Sequence, residues 1–331
     1  MHAKSHPDGV VLESVPCLFG CSAGDDNILS GRDRLHGIPG EYHVVRCRAC
    51  GLMRTNPRPT QETMAFYYPE DYGPHRIVPG ETPVSPHTLV PSWKRLLQSV
   101  SHFVSYGMYR FNNENVPNLP PGRMMEIGCA TGSYLGRMSK KGWKVEGLEF
   151  SERAAQMARA AGYAVRTGAL ETVPDPGDRY DLIVGWMVLE HMHNPVLGLK
   201  KLRSWLSPEG WLVFSVPNAG SIEFRVFRDA WYALHLPPHL YHFTPRTIEM
   251  LLDRAGWRVE KIFHQRLVSN LVASTGYLLS DIGYDNRLAR ALINFPERQG
   301  RAHYRVYPLS YLLSVFGQTG RMTVWARRAD D

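Results

Sequence analysis

The chain has 331 residues, 44% of them hydrophobic and 21% charged, so it is long enough to bury a full core and to form about two structural units. Its net charge of +7 permits contact with phosphate-bearing substrates, nucleic acid or an anionic membrane surface, but the basic residues are scattered and select none of these partners. No apolar stretch is long enough to be a transmembrane segment and the amino terminus has no signal-peptide core, so we predict a soluble, cytoplasmic protein.

Four of the five cysteines lie within the first fifty residues, as the close pairs Cys17 with Cys21 and Cys47 with Cys50. Two such pairs can place four thiolates around a tetrahedral zinc ion, and the reducing cytosol disfavours disulfides. Four protein ligands leave the ion no open position for catalysis, so it would stabilise a small knuckle. We predict structural zinc at these four cysteines, with a metal-free knuckle or disulfides as the alternatives.

The segment after the second cysteine pair contains an Asn56-Pro57-Arg58 turn and then an aromatic stretch with Tyr67, Tyr68 and Tyr72. These tyrosines either pack the knuckle against the rest of the protein or touch substrate. Residues 73–91 are rich in proline and predict a linker or lid. Residues 92–111 carry an apolar helical stripe, which either packs on a core or lies in the plane of a membrane, so peripheral membrane contact stays open.

The run Met124-Met125-Glu126-Ile127-Gly128-Cys129-Ala130-Thr131-Gly132 predicts a buried strand, a glycine-permitted turn and a helix opening at Thr131. The two glycines allow a ligand to approach the backbone closely, and the first amides of the helix face outward. The spacing differs from the G-x-G-x-x-G of dinucleotide sites, and Glu126 would repel a pyrophosphate. A ligand with a cationic amino-acid end and a neutral ribose fits better, and S-adenosylmethionine has that character. A nicotinamide dehydrogenase is the rival enzyme.

The next run, residues 143–150, reads as a second parallel strand that ends at Glu149, an acid able to accept both ribose hydroxyls. Together with the glycine turn it resembles the class I S-adenosylmethionine-dependent methyltransferases. Residues 180–191 and 207–218 resemble the fourth strand and the turn and fifth strand of that family, so the resemblance covers residues 123–218. It implies an α/β fold with a Rossmann-like, doubly wound, seven-stranded sheet whose last strand is antiparallel.

The resemblance also implies a cofactor site at the carboxyl ends of the strands, with the loop after the third strand against adenine. A surface turn is the alternative for that loop. The expected cofactor contacts are Glu126, Gly128, Cys129, Ala130, Thr131, Gly132, Glu149, Phe150, Ala169, Leu170 and Trp186.

Later elements follow the same alternation of helices and strands. Ser151 caps the second helix, and the third strand lies near residues 163–165. Thr244-Pro245 begins a helix that ends at Ala255-Gly256, and strands follow at 257–262 and 322–326. Between those strands, residues 264–320 contain apolar helical segments, which predict a helical insertion that covers substrate or forms a homodimer contact.

Acceptor chemistry is expected beyond the fourth and fifth strands, because ligands of open parallel sheets sit there. His191 follows the fourth strand and serves either as a general base or as a structural group. The string from Pro238 to Thr244 resembles a segment of ubiquinone-type and sugar methyltransferases, and makes His239 the leading base, ahead of His242 and His191. A metal site at His235, His239 and His242 is a weaker alternative, because no carboxylate cluster accompanies them.

The cysteine pairs, the Asn-Pro-Arg turn and the tyrosines resemble the amino-terminal extension of small-molecule methyltransferases, many of them in sugar or glycan pathways. We therefore predict methyl transfer to an oxygen or carbon of a sugar, glycan precursor or specialised metabolite. The alternatives are an RNA methyltransferase and a zinc-knuckle binding protein with an inactive domain, and nucleic acid is the less favoured partner. The predicted units are a zinc-knuckle extension at 1–72, a linker and amphipathic helix at 73–121, and a methyltransferase domain at 122–331.

Overall fold

The computed structural model describes residues 6–68, 116–284, 286–297 and 302–329. The predicted proline-rich segment, the amphipathic helix and Tyr72 lie outside these residues. Among the helices it describes, none combines the length and the apolar composition that crossing a bilayer requires.

Five short strands form the amino-terminal part of the protein. They are β1 Leu12–Glu13, β2 Asp25–Gly31, β3 Tyr42–Cys47, β4 Met53–Thr55 and β5 Arg58–Pro59. Strands β2, β3 and β4 pair as successive antiparallel neighbours, and β1 pairs with β5. Tyr42, Val44 and Cys47 are buried on β3 while the residues between them are more exposed, so this small sheet packs one face on a core.

Eight strands follow in the remaining described residues. They are β6 Arg123–Ile127, β7 Lys144–Glu149, β8 Ala164–Thr167, β9 Tyr180–Trp186, β10 Leu206–Pro217, β11 Tyr241–His242, β12 Trp257–His264 and β13 Arg321–Arg328. All except β11 form one sheet in the order β12-β13-β10-β9-β6-β7-β8, in which β13 is antiparallel to both neighbours. The predicted seven-stranded sheet is confirmed. The predicted turn at 207–210 is a register irregularity inside β10.

The order of the strands in the large sheet indicates where a ligand would bind. From β6 the chain moves outward through β7 and β8, and then crosses back to β9 and β10 on the other side of β6. The carboxyl ends of β6 and β9 therefore flank the point where strand order reverses, which is where open α/β sheets bind ligands.

Eight α-helices lie in the described residues. They are α1 Ser133–Ser139, α2 Glu152–Ala160, α3 Pro195–Trp205, α4 Ile222–Phe227, α5 Pro245–Arg254, α6 Ser269–Asp281, α7 Arg287–Ile293 and α8 Ala302–Val315. The Ser151 side chain accepts from Ala154 N, and Thr244 forms a capping box with Thr247, which confirms both predicted helix starts. Helix α1 begins two residues later than predicted, because Gly132 in the left-handed region is its N-cap.

Three helices, α6 to α8, lie between β12 and β13, in the segment predicted as a helical insertion. Helix α6 packs on the chain before β11, where Tyr232 stacks on Tyr277 and the Ser274 hydroxyl accepts from Tyr232 N. Arg34 of the amino-terminal part reaches both Asp281 at the end of α6 and Asp229, at 2.8 and 2.7 Å. The insertion is thus held from two sides.

Strand β11 belongs to the small sheet rather than the large one. Tyr241 pairs with Arg54 and His242 with Met53, so the small sheet has the order β11-β4-β3-β2. The Thr55 hydroxyl also donates to His239 O at 2.7 Å. A strand contributed from after the fifth strand of the large sheet therefore completes the amino-terminal sheet.

An ion pair with a buried arginine joins β4 to β2 in this sheet. The Arg54 side chain is 2% exposed and donates to both oxygens of Asp25 at 2.9 and 2.7 Å. We expect Asp25→Asn to lower the free energy of unfolding by about 3 kcal/mol, because a buried guanidinium then loses its counter-charge. Urea unfolding followed by circular dichroism measures this change.

The neighbouring Asp26 is the matched control, since its side chain is 42% exposed and pairs with surface arginines. Asp26→Asn should leave stability unchanged within error, because exposed ion pairs contribute little. Equal losses for the two variants would contradict the role given to the Arg54 pair.

Candidate active site

The turn after β6 needs glycine at two positions. Gly128 has φ +69° and Gly132 has φ +82°, in the region that side chains disfavour. A Cβ on Gly128 would lie 2.5 Å from Val188 Cγ2, and one on Gly132 would lie 2.9 Å from Tyr163. The turn thus packs closely on the chain that follows β9 and on Tyr163.

Two carboxylates flank this turn, and both are buried, at 3% exposure for Glu126 and 5% for Glu149. Glu149 accepts from Ala130 N and Ser151 N, each at 2.8 Å, so its position at the end of β7 is fixed. Burial raises the pKa of Glu126 well above its ordinary value; Arg137 opposes the shift and Glu149 adds to it. Among the described residues Glu126 Oε2 has no hydrogen-bond partner, so a ligand cation would compensate this group.

The other predicted cofactor residues fall into two groups. Cys129 and Leu170 are core residues, because the Cys129 sulfur packs over Gly147 and Leu170 packs beside Gly198. Cys129 can therefore meet a ligand only through its backbone. The remaining predicted contacts are at least partly accessible on the turn or at strand ends: Ala130, Thr131, Phe150, Ala169 and Trp186.

Two aromatic side chains in that accessible group stand out. Phe150, just after β7, is 51% exposed. Trp186, the last residue of β9, lies edge-on to Tyr134 with ring centroids 5.3 Å apart. Its Nε1 has no partner within the described part of the chain. Both offer apolar surface beside the turn, which a planar base or a methionine chain can use.

The four amino-terminal cysteines converge. The Sγ atoms of Cys17, Cys21, Cys47 and Cys50 all lie within 4.8 Å of one another, and those of Cys17 and Cys50 are 3.5 Å apart. All four are free thiols. Tetrahedral zinc with bonds of about 2.3 Å needs sulfur atoms about 3.8 Å apart. The cysteines therefore fit such an ion without a change of backbone.

A second cluster lies beyond the carboxyl end of β9. His191 follows that strand, and His235 and His239 come from the segment before β11. The ring centroid of His239 is 4.6 Å from that of His191 and 4.9 Å from that of His235. Two of the three histidines predicted as catalytic are thus brought together.

The hydrogen bonds of this cluster fix one tautomer. His239 Nδ1 lies 2.9 Å from Ala233 O, and because a carbonyl only accepts, Nδ1 carries the proton. The Nε2 lone pair then lies on the side of Glu190, with Oε1 at 3.9 Å. His191 Nδ1 shares a hydrogen bond with the Tyr68 phenol at 2.8 Å. Burial lowers the pKa of His191 to about 4 and that of His239 well below its ordinary value, so both are neutral at neutral pH.

His242 lies in a different setting. The Thr55 hydroxyl donates its proton to His239 O, so at 3.2 Å from His242 Nε2 it must accept. His242 is therefore protonated on Nε2 and bonds across the junction of β11 and β4. This geometry places it behind the imidazole cluster rather than in it.

Two residues of the cluster were not among the predicted site residues. Glu190 is fully buried, and burial raises its pKa to about 8, with Arg321 opposing the shift. The sequence signal for it is the acid directly before His191 at the end of a strand. For Tyr68 the sequence analysis left two roles open, packing of the knuckle and contact with substrate. The structure separates the tyrosines, because Tyr67 is buried and bonded to Tyr42 at 2.6 Å, whereas Tyr68 reaches His191.

The proposed metal set at His235, His239 and His242 needs correction. His242 is turned to Thr55, and a carboxylate does accompany the imidazoles. The described residues that could hold an ion here are Glu190, His191 and His239.

Comparisons with known proteins agree with this geometry. Residues 100–262 match the family model described as a methyltransferase domain. The ubiquinone biosynthesis O-methyltransferase of Cereibacter sphaeroides strain ATCC 17025 is 27% identical over 171 residues, which are 48% of this chain and 68% of that protein. The malonyl-[acyl-carrier protein] O-methyltransferase of Serratia marcescens is 26% identical over 211 residues, 59% of this chain and 80% of that protein.

Coverage of these relatives is partial. The alignments span between 53% and 68% of the first four ubiquinone biosynthesis O-methyltransferases, from Cereibacter and Bordetella. A crystal structure of an S-adenosylmethionine-dependent methyltransferase from Mesorhizobium loti superposes with a TM-score of 0.44 at 19% identity, covering 64% of this chain and 94% of that one. Residues 100–262 thus match a methyltransferase domain, and the sheet order and the glycine turn with its two acids are those expected of a class I S-adenosylmethionine-dependent methyltransferase.

Proposed function

We propose that the protein transfers a methyl group from S-adenosylmethionine to an oxygen or carbon atom of a small molecule, such as a sugar, glycan precursor or specialised metabolite. The observation that carries the proposal is the pair of buried acids at the glycine turn, with an imidazole cluster beyond the neighbouring strand. Oxygen is the favoured atom, since the relatives compared above are named O-methyltransferases.

The cofactor residues take separate parts. Glu126, with an unpartnered oxygen, holds the ammonium of the methionine end, and the turn amides take its carboxylate. Glu149, which two backbone amides fix at the end of β7, accepts the ribose hydroxyls. Phe150 and Ala169 line the adenine side. When bound, S-adenosylmethionine supplies the electrophilic methyl group.

The exposure of the histidine side chains indicates which of them can meet the acceptor. His191 is partly exposed and hydrogen-bonded to Tyr68, whereas His239 is 4% exposed and lies behind it. We therefore place His191 with Tyr68 against the acceptor, where the pair binds an acceptor hydroxyl and receives its proton. His239 acts through His191 as a positioning residue, and His242 secures strand β11, which follows His239.

We further propose that the four amino-terminal cysteines hold a structural zinc ion. Such an ion would tie the chain before β2 to the turn after β3, because Cys17 and Cys21 lie on one side of that hairpin and Cys47 and Cys50 on the other. It would thereby support the sheet whose edge receives β11.

Calorimetric titration tests the cofactor assignment. The wild type should bind S-adenosylmethionine and its demethylated product, and Glu149→Gln should weaken binding by roughly tenfold, because charge-assisted hydrogen bonds are lost. Glu146→Gln, on the same strand but paired with Arg123 and Tyr180, should bind as the wild type does. Saturable binding of reduced nicotinamide dinucleotide instead would favour a dehydrogenase and reject the assignment.

Methyl transfer tests the acceptor assignment. A panel of nucleotide-linked sugars, phenols and hydroxy acids is incubated with isotopically labelled methyl donor and analysed by mass spectrometry. His191→Gln should slow transfer to the methylated compound by roughly 100-fold, as expected for loss of a proton acceptor, while donor affinity stays unchanged. The control is His43→Gln, whose ring bonds to Ser30 in the amino-terminal sheet. An unchanged rate in His191→Gln would exclude His191 from the chemistry.

Metal analysis and thermal unfolding test the zinc assignment. Cys50→Ser should carry one zinc equivalent fewer than the wild type and unfold at a lower temperature, because the ion contributes folding free energy. Cys129→Ser is the matched control, since this buried cysteine lies in the glycine turn and should retain the zinc. Equal zinc in the two variants would refute a four-cysteine site.

A further inference from the structure

Three side chains beyond β9 present ligand atoms to one point. One oxygen of Glu190 and one ring nitrogen each of His191 and His239 lie within 4.8 Å of one another. Glu190 and His191 are adjacent in sequence, and His239 arrives from the segment that ends in β11. Two imidazoles and one carboxylate form a donor set that suits divalent transition metals.

The carboxylate of Glu190 lacks the partners that a buried acid normally has. It is 0% exposed, and neither oxygen has a hydrogen-bond partner in the described part of the chain. Arg321 acts on it through space, but its guanidinium bonds to Asn270, and no ion pair joins it to Glu190 among the described residues. An uncompensated buried acid is costly, so a bound cation would stabilise the native state.

The imidazoles are already oriented as metal ligands are. A ligating histidine commonly donates its other ring N–H to a backbone carbonyl, which fixes the tautomer. His239 does this at Ala233 O and leaves Nε2 unprotonated, on the side of Glu190. The His191 ring is oriented by two bonds, one between Nδ1 and the Tyr68 phenol and one to Pro238 O. Both rings are therefore preorganised before any ion binds.

We propose that Glu190, His191 and His239 bind a divalent transition-metal ion, separate from the ion assigned to the cysteines. Three protein ligands leave a position for an acceptor hydroxyl, which would release its proton to solvent more readily when bound to the ion. This role of the ion in methyl transfer rests on the proposed function. In it, His191 binds the ion and Tyr68 lies beside the acceptor. The binding of the ion itself does not depend on methyl transfer.

Titration of the purified full-length protein with Co²⁺, followed by visible absorption and by metal analysis, tests the site. Thiolate ligation gives intense near-ultraviolet bands, whereas a nitrogen and oxygen site gives only weak visible bands, so the two sites are told apart. The wild type should show one such nitrogen and oxygen site. Glu190→Gln and His239→Gln should each weaken Co²⁺ binding there at least tenfold, because a ligand is lost.

Glu223→Gln is the matched control. Glu223 is also buried, at 1% exposure, but accepts from Gly320 N and Trp231 Nε1 and has no imidazole partner in the described residues, so its variant should bind Co²⁺ as the wild type does. Retained binding of S-adenosylmethionine in all variants shows that they are folded.

Two outcomes would overturn the inference. One is a wild type whose only Co²⁺ bands are those of thiolates, and the other is equal affinity in the wild type and Glu190→Gln. If the donor binds and methyl transfer proceeds without this ion, only the metal inference fails. If the ion binds but S-adenosylmethionine does not, only the proposed function fails.

Discussion

The pairing of β4 with β11 is the constraint on which the acceptor side of the protein depends. It attaches the amino-terminal sheet to residues 239–242, and the same segment is held on its other side by Leu240 N, which donates to Glu190 O at 2.8 Å. Three stretches that are distant in sequence thus meet around one imidazole cluster. The pairing adds to the bonds that already position His239, whose Nδ1 donates to Ala233 O.

The buried acids Glu126, Glu149 and Glu190 differ in their hydrogen-bond partners. Glu149 is satisfied by two backbone amides and therefore serves as a fixed acceptor. Within the described residues, Glu126 has one oxygen without a hydrogen-bond partner and Glu190 has two, and burial raises the pKa of both. Such groups are rare in folded proteins unless a ligand completes them. One lies at the glycine turn after β6 and the other in the imidazole cluster after β9, so a bound cation would stabilise the protein at each of these places.

Local chemistry explains what could be predicted from sequence. The caps at Ser151 and Thr244 and the glycine turn at Gly128 depend on neighbours within a few residues, and their sequence patterns were sufficient. The acceptor cluster depends on contacts across 184 residues, as between Thr55 and His239, which no local pattern encodes. Glu190 was overlooked although it directly precedes His191, and His242 was grouped with His239 although its ring bonds to Thr55.

The small sheet is assembled from two separate stretches of the gene product, and this restricts how the protein can be rearranged. If the amino-terminal part were grafted onto another methyltransferase, β4 would still pair with β3, but its other edge would lack β11. An exposed strand edge favours intermolecular association. Recombination that preserves both activity and solubility must therefore transfer the segment around β11 together with the first 68 residues. The two stretches would have to be inherited together although strands β6 to β10 of the large sheet are encoded between them.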